Sequence, residues 1–340
     1  MNHPNAFTVH HLRFEVEATT PLALPPPAGS KLRAALYEAL GMVCPLGGDA
    51  NAPPEHKAAC PVCWLLATEK PGDTGGKDLP RPMTIEPPLG LAGKRLAPGD
   101  RFSFGLSLFA QAANLFPYLA LGVPEMGRRG LGRRLPELGG NRGQFTLYRA
   151  EAVNPLSGAR QCLLDAAQGP LFQVPAFPVT AAQVAQSSQR LVEHMDQGHV
   201  EIHFLTPTRI VTAGRLVHEP HLAPLFARLF DRLQALSIHY ADGSLAPREA
   251  KADLLALADQ VQLIGGEGTW REARSHSRRL RRSTPVSGFV GRAVYQAAPE
   301  VWRPLLPYLL WGQSTHVGKS ATKGNGWYEL RVGEEACGEQ

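Results

Sequence analysis

The residues able to do chemistry fall into a few clusters. Cys60-Pro-Val-Cys63 is a two-residue knuckle of the kind that grips zinc, and Cys44 lies sixteen positions before it. His56 can complete a closed Cys₃His set with Cys44, Cys60 and Cys63. Such a site would organise residues 44–82, a Pro/Gly/Cys-rich stretch whose periodicity is too weak to build a core. Nothing suggests an open coordination position, so the expected role is structural. Three reduced, half-buried thiols are the alternative. Cys162 and Cys337 stand apart from the set.

The second cluster is the segment GQSTHVGKS, residues 312–320. A phosphate-binding NTPase loop needs about four residues between its first Gly and its Gly-Lys, whereas five separate Gly312 from Gly318 here. A segment with Pro304 and Pro307 precedes it and further glycines follow, so no helix N-terminus is offered to a phosphate. The segment reads instead as a loop whose backbone N–H groups, with Lys319 and Lys323, face a nucleic-acid backbone. Gly318, Gly324 and Gly326 would permit close approach.

The third cluster is basic. Arg271, Arg274, Arg278, Arg279, Arg281 and Arg282 follow Trp270 and surround His276. Six guanidinium groups with only Glu272 among them repel one another unless an anion sits nearby, although charge runs also occur as solvated faces. The chain has 340 residues and a formal net charge of +5. Residues 270–323 carry ten Lys/Arg and two acids (+8), and residues 124–150 carry six Arg and two Glu (+4), leaving 5 − 8 − 4 = −7 elsewhere. Arg128, Arg129, Arg133 and Arg134 belong to the smaller patch. Concentrated positive charge on an otherwise acidic chain fits a polyanion bound at one place.

These residues need elements to hold them. Residues 7–19 alternate apolar and polar as a strand does, and Ser30 can cap a helix through residue 42 with Leu32, Leu36 and Leu40 on one face. Strands follow at 83–86 and 101–109, a helix at 110–122, a Gly/Arg loop at 127–143 and a strand at 144–153. Residues 154–180 are Pro-rich and connect to a second unit. That unit has a strand at 199–205, helical segments at 220–238 and 248–263, a strand at 288–297, a helix at 299–311, a Gly/Lys loop at 312–326 and a final strand at 327–332. The shared order implies an internal duplication of β-α-β-β-α-β units. The fold class is therefore α+β: tandem ferredoxin-like (RRM-like) domains at residues 1–180 and 198–333, with the Cys-rich insertion in the first.

Composition narrows the classes further. Hydrophobic residues at 44% with 19% charged exclude a wholly disordered chain, and 34 Gly with 30 Pro argue against a helix bundle or coiled coil. Residues 1–15 lack the apolar core of a secretory signal, and no run approaches the roughly 18 apolar residues of a membrane span. Five cysteines, an odd number, fit a reducing cytosol.

The segment LWGQSTHVGKSATKGNGWYEL at 310–330 resembles the C-terminal signature of the CRISPR-associated repeat-cleaving endoribonucleases of the RAMP (repeat-associated mysterious protein) superfamily. SRRLRRSTPVSGFVG at 277–291 is similar to that family's basic segment, and FLTPTR at 204–209 to the end of its second-domain first strand. Residues 127–147 more loosely resemble the end of its first domain. The resemblance implies two ferredoxin-like domains and CRISPR repeat RNA in precursor crRNA as the substrate. It implies cleavage by the RNA's own 2′-hydroxyl without a catalytic cofactor, leaving a 2′,3′-cyclic phosphate and a 5′-hydroxyl. It also implies possible membership of a CRISPR effector complex, and a noncatalytic RNA-binding subunit of such a complex is the rival reading. An RNA-recognition module working by aromatic stacking fits less well, because the RNP1 pattern is absent and aromatics are 7%.

That chemistry needs a base, an acid and a cation for the phosphorane. The family often carries its His in or near the first helix. This chain departs from that pattern, having Lys31, Arg33 and Tyr37 there but no His. His316 becomes the first candidate, with Lys319 or Lys323 stabilising the phosphate and Tyr37 orienting the 2′-hydroxyl. His10, His11, His194, His199 and His203 are reserves, each more readily explained as structural.

Overall fold

The computed structural model describes residues 6–46, 52–67, 79–91, 93–167, 169, 173–247, 249–277 and 282–332; the side chains of residues 276, 277 and 282 are not described. Arg278, Arg279 and Arg281 lie outside the described residues, as does the side chain of Arg282.

In the first strand, Val9–Ala18, alternation decides which face is buried. Leu12, Phe14 and Val16 point into a core, while His11, Arg13 and Glu15 face the other way. Arg101–Phe109 and Phe145–Val153 flank this strand, with Met83–Glu86 and Arg160–Asp165 at the edges. All the pairings are antiparallel. Helices Ala28–Leu40 and Phe116–Arg129 pack together and close the first core.

The second sheet repeats the plan. His199–Thr208 lies between Gly288–Gln296 and Tyr328–Val332, with Gln262–Gly265 outside Gly288–Gln296. Helix Leu222–Tyr240 buries Leu225, Phe226, Leu229, Phe230 and Leu233, and helix Pro299–Thr315 buries Trp302, Leu305, Leu306 and Leu309. In each sheet the first and third strands are central, and the second and fourth flank them. This is the strand order of a ferredoxin-like fold, with Arg160–Asp165 added to the first sheet.

Several sequence expectations shift. The first helix starts at Ala28, so Ser30 lies inside its first turn and makes no cap. Residues 110–115 wind as a 3₁₀ turn, and the α-helix begins at Phe116, where Pro117 fits the first turn. The expected Gly/Arg loop is instead the end of that helix plus a hairpin, Leu131–Leu135 with Asn141–Gly143. Helix Ala250–Ala258 is shorter than expected, because Gln262–Gly265 is drawn out to pair at the sheet edge. A whole helix, Ala181–Glu193, was missed. Its signal was Thr180-Ala-Ala-Gln183, which forms a capping box.

The two units meet through apolar side chains at one place. Phe7, Val9 and Phe109 belong by sequence to the first unit, yet they pack into the second core with Trp311. The Phe7 ring stands edge-on to Trp311 at 5.1 Å. No helix among the described residues is long and apolar enough to cross a membrane. Phe7→Ala should destabilise the protein by about 3–5 kcal/mol. In thermal melts it should lower the transition reported by second-unit tryptophans, although the substitution lies at the start of the first unit.

Candidate functional site

After Thr315, at the end of its helix, the chain crosses the free edge strand Met83–Glu86 of the first sheet. On one side Ser314 sits over the sheet face carrying His11, Thr84 and Glu86, with Thr84 Oγ1 donating to the Ser314 carbonyl at 3.4 Å. Farther along, Gly324 lies against the Ile85 carbonyl, where an added Cβ would come to 2.8 Å. The loop is closed on itself: Val317 N–H donates to Gly326 O, and Gly326 N–H to Pro207 O. Gly318, Gly324 and Gly326 all have positive φ and lie against the protein's own backbone. Their missing side chains therefore serve internal packing, where an approach by RNA had been expected.

Beyond the edge, the loop reaches the first helix. A Cβ on Gly29 would fall 2.0 Å from Lys323 O, so only glycine allows this contact. Beside it, Lys323 Nζ donates to Ser275 Oγ at 3.2 Å, and Ser275 Oγ shares a hydrogen bond with Ser30 Oγ at 3.1 Å. The helix start, the Gly-rich loop and the hairpin Arg274–Ser277/Arg282–Pro285 thus converge on one point. Ser30 and Ser275 were not anticipated, since serine side chains carry no periodic or charge signal. Tyr37 lies half-buried two turns further along the helix on the Ser30 face, and Lys319 is exposed.

His316 is not at this surface. It is fully buried, stacked on Trp327 with the ring planes 12° apart. Burial pushes its imidazole down to about 3, with Glu86 opposing and Arg232 assisting the shift. A neutral ring enclosed in the loop cannot touch a phosphate in this conformation, whatever the spacing of the sequence suggested. Arg232, itself lowered to about 10 by burial, donates through Nε to Thr315 O at the root of the loop.

His11, a reserve candidate, holds that root from the other side. Its Nδ1 lies 3.0 Å from Glu86 Oε1 and its Nε2 2.8 Å from Ser314 Oγ. Burial works to raise the Glu86 pKa, but the hydrogen bond and charge of His11, the nearby His316 and the Ser107 hydroxyl together hold the carboxyl below its usual range. An ionised carboxylate only accepts, so His11 Nδ1 carries a proton toward Glu86. Beside this network is a cavity of about 390 Å³, bounded by Arg13, Trp327 and Arg331 among others.

Both basic segments flank the first helix. Strand Leu131–Leu135 packs on it, and Arg142 pairs with Glu38 at 2.7 Å. Arg128 and Arg129 are tied to Glu125, while Arg133 and Arg134 are exposed on the hairpin. Arg271 and Arg274 are exposed, and Arg274 adjoins Ser275, which bonds to Ser30 at the start of the helix. Positive charge split between distant parts of the sequence is therefore gathered around one helix.

The Cys-rich stretch folds as two short helices, Pro54–Ala59 and Pro61–Ala67. Ligand atoms of Cys44, His56, Cys60 and Cys63 all lie within 4.8 Å of one another, a set that could hold a metal ion. Cys44 Sγ is 3.7 Å from Cys63 Sγ and 3.3 Å from His56 Nε2, and Cys63 Sγ is 3.5 Å from His56 Nε2. Tetrahedral zinc would set S···S near ~3.8 Å and S···N near ~3.5 Å. Burial and the neighbouring thiols push the Cys63 thiol up to about 12. A dication among these donors would reverse that preference.

Comparison with known proteins places this geometry. An N-terminal domain family, AF_1859_N, matches residues 7–176, and the CRISPR-associated endoribonuclease Cas6 family matches residues 202–328. No curated protein matches. A Cas6 product complex is similar over 95% of this chain and 99% of that one, at 17% identity and a TM-score of 0.54. Thermus thermophilus Cas6 is similar over 96% and 99%, at 15% identity and a TM-score of 0.53. A partial Cas6-RT-Cas1–Cas2 complex is similar at 12% identity and a TM-score of 0.63, over 100% of this chain but 49% of that one. These solved structures carry the fold, and the family match makes residues 202–328, the second unit, a member of the CRISPR-associated endoribonuclease Cas6 family.

Proposed function

We propose that the chain cleaves CRISPR repeats in precursor crRNA at the junction of Ser30, Ser275 and Lys323, using no metal in the chemical step. The observation that carries this reading is the meeting of an ammonium and two hydroxyls where both basic segments flank the first helix. The 2′-oxygen attacks the adjacent phosphorus as its proton passes to solvent water, and the bond to the 5′-oxygen breaks as that oxygen takes a proton from solvent. The products are a 2′,3′-cyclic phosphate and a 5′-hydroxyl. Lys323 offsets the charge that grows on the phosphorane and Ser30 donates to its non-bridging oxygens, while the buried Ser275 holds the Lys323 ammonium in place. Tyr37 orients the 2′-hydroxyl from the same helix face. Arg271, Arg274, Arg133 and Arg134 hold the RNA backbone, with Lys319 as an outlying phosphate contact. His316 shapes the loop. Product crRNA passes to a CRISPR effector complex in the cytoplasm.

End-labelled repeat RNA should be cut at one site in excess EDTA, and a 2′-deoxy substitution at the scissile nucleotide should abolish the cut. Tight binding without cleavage would favour a structural RNA-binding subunit instead. Lys323→Ala should slow single-turnover cleavage about 100-fold. Lys319→Ala should mainly weaken binding and reduce its salt slope by about 1. Wild-type cleavage by Lys323→Ala would remove this site assignment.

The Cys₃His cluster holds a structural zinc in this reading. The three spacings among Cys44, Cys63 and His56 are close to the edges of a zinc tetrahedron, Cys60 lies within 4.8 Å of them, and four protein donors leave no position for substrate. Metal analysis of the purified chain should find one zinc per molecule, lost in Cys60→Ser. A metal-free wild-type chain would exclude it.

The burial of His316 has a pH signature. Its folded-state pKa, about 3, lies below the ordinary imidazole value, so the unfolded chain binds the extra proton first. The stability this confers is complete above the unfolded value and is lost as pH falls toward the folded one, at no more than about 1.4 kcal/mol per pH unit. His10, lowered to about 4, adds to the same acid limb. Melting temperatures of His316→Asn should fall less steeply between about pH 6 and 4 than those of wild type, a window lying between the ordinary imidazole value and the lowered one.

A further inference from the structure

The Cys₃His module touches the first helix and the helix that anchors the root of the Gly-rich loop, and one aromatic side chain makes the second connection. Cys44 comes just after the first helix, separated from it by the turn Gly41–Val43. Arg33 of that helix donates through Nη2 to Leu66 O on the helix carrying Cys63. The module is therefore fixed to the element that presents Ser30.

Trp64, next to Cys63, points the other way. Its ring meets Tyr240 edge-on at 5.3 Å and an interplanar angle of 83°. Tyr240 is the buried last residue of helix Leu222–Tyr240, and its hydroxyl donates to Pro80 O where the chain leaves the Cys-rich stretch. The same helix carries Arg232, which holds Thr315 O at the root of the loop bearing Lys323. Trp64 packs against both hydrophobic cores.

Helices of six and seven residues are too short to persist without tertiary or ligand support. We infer that the metal-bound module is a spacer that sets the distance between the first helix and the Gly-rich loop, with Trp64 as its positioning residue. This rests on the zinc and cleavage readings above. The metal takes no part in the chemical step, yet cleavage depends on it for geometry. Removing the ion relaxes the seat of Trp64, and Ser30 and Ser275 lose their alignment with Lys323. A displacement of roughly an ångström can cost about 100-fold in rate without abolishing binding.

The test compares wild type, Trp64→Ala, Trp64→Phe and Cys60→Ser as full-length chains. Zinc content, the single-turnover cleavage rate and affinity for repeat RNA with a 2′-deoxy scissile nucleotide are measured for each. Trp64→Ala should keep one zinc and bind the deoxy RNA within about 3-fold of wild type, yet cleave about 10- to 100-fold more slowly. Trp64→Phe, which keeps an aromatic edge on Tyr240, should recover most of the rate. Cys60→Ser should lose zinc and rate together. A zinc-loaded Trp64→Ala protein cleaving at the wild-type rate overturns the spacer and leaves the zinc and cleavage readings standing. Loss of affinity in step with rate also overturns it, because that pattern marks general disruption. Wild type without zinc overturns the spacer and the zinc assignment but leaves the cleavage reading in place. Should Trp64→Ala fail to fold, the outcome for Trp64→Leu decides by the same criteria.

Discussion

Backbone meets backbone where the C-terminal loop crosses the free edge of the first sheet, and the arrangement of the site depends on that contact. Gly29 lies under Lys323 O, and Gly324 lies against Ile85 O. A β-carbon at either position would separate the two units where Ser30, Ser275 and Lys323 come together. The edge strand Met83–Glu86 has an unpaired side, a feature that proteins commonly cover. Here the loop covers it, and in doing so brings a lysine from residue 323 to a helix that begins at residue 28.

Electrostatics follows from that closure. The first helix has few acids of its own, and Glu38 is engaged by Arg142. With basic hairpins at either end, the helix lies in a field of one sign, where an RNA backbone would gain most from counterion release. The loop interior shows the opposite strategy. His316 is kept neutral by burial, while the His11–Glu86 pair faces Ser314 through hydrogen bonds. Charge is concentrated outside the loop, and hydrogen-bond geometry fixes its root inside.

The Cys-rich stretch adds support that the ferredoxin-like plan lacks. Its helices are too short to stand alone, and their side chains reach both cores through Trp64. Metal ligation would convert a weakly structured insertion into a rigid part between two domains. The interface is already apolar at Phe7, Phe109 and Trp311, so such a spacer acts on a joint that resists sliding.

Much of this protein was legible from local pattern. Alternation in residues 7–19 and a strand-like run at 199–205 named two strands that prove central, the repeated element order named the duplication, and the spacing of Cys44, His56, Cys60 and Cys63 named a ligand set that the fold brings together. Periodicity and ligand spacing are properties of neighbouring residues, so they survive in one dimension. The neighbourhood of the proposed cleavage site does not. His316 read as the first proton-transfer candidate because the first helix holds no His, yet Trp327 and the crossing of the edge strand bury it. Ser30 read as a helix cap, yet it faces Ser275 across 245 positions. Burial and long-range contact depend on how the two sheets dock. Only the tertiary structure could decide which polar groups stay inside the loop and which meet at the first helix.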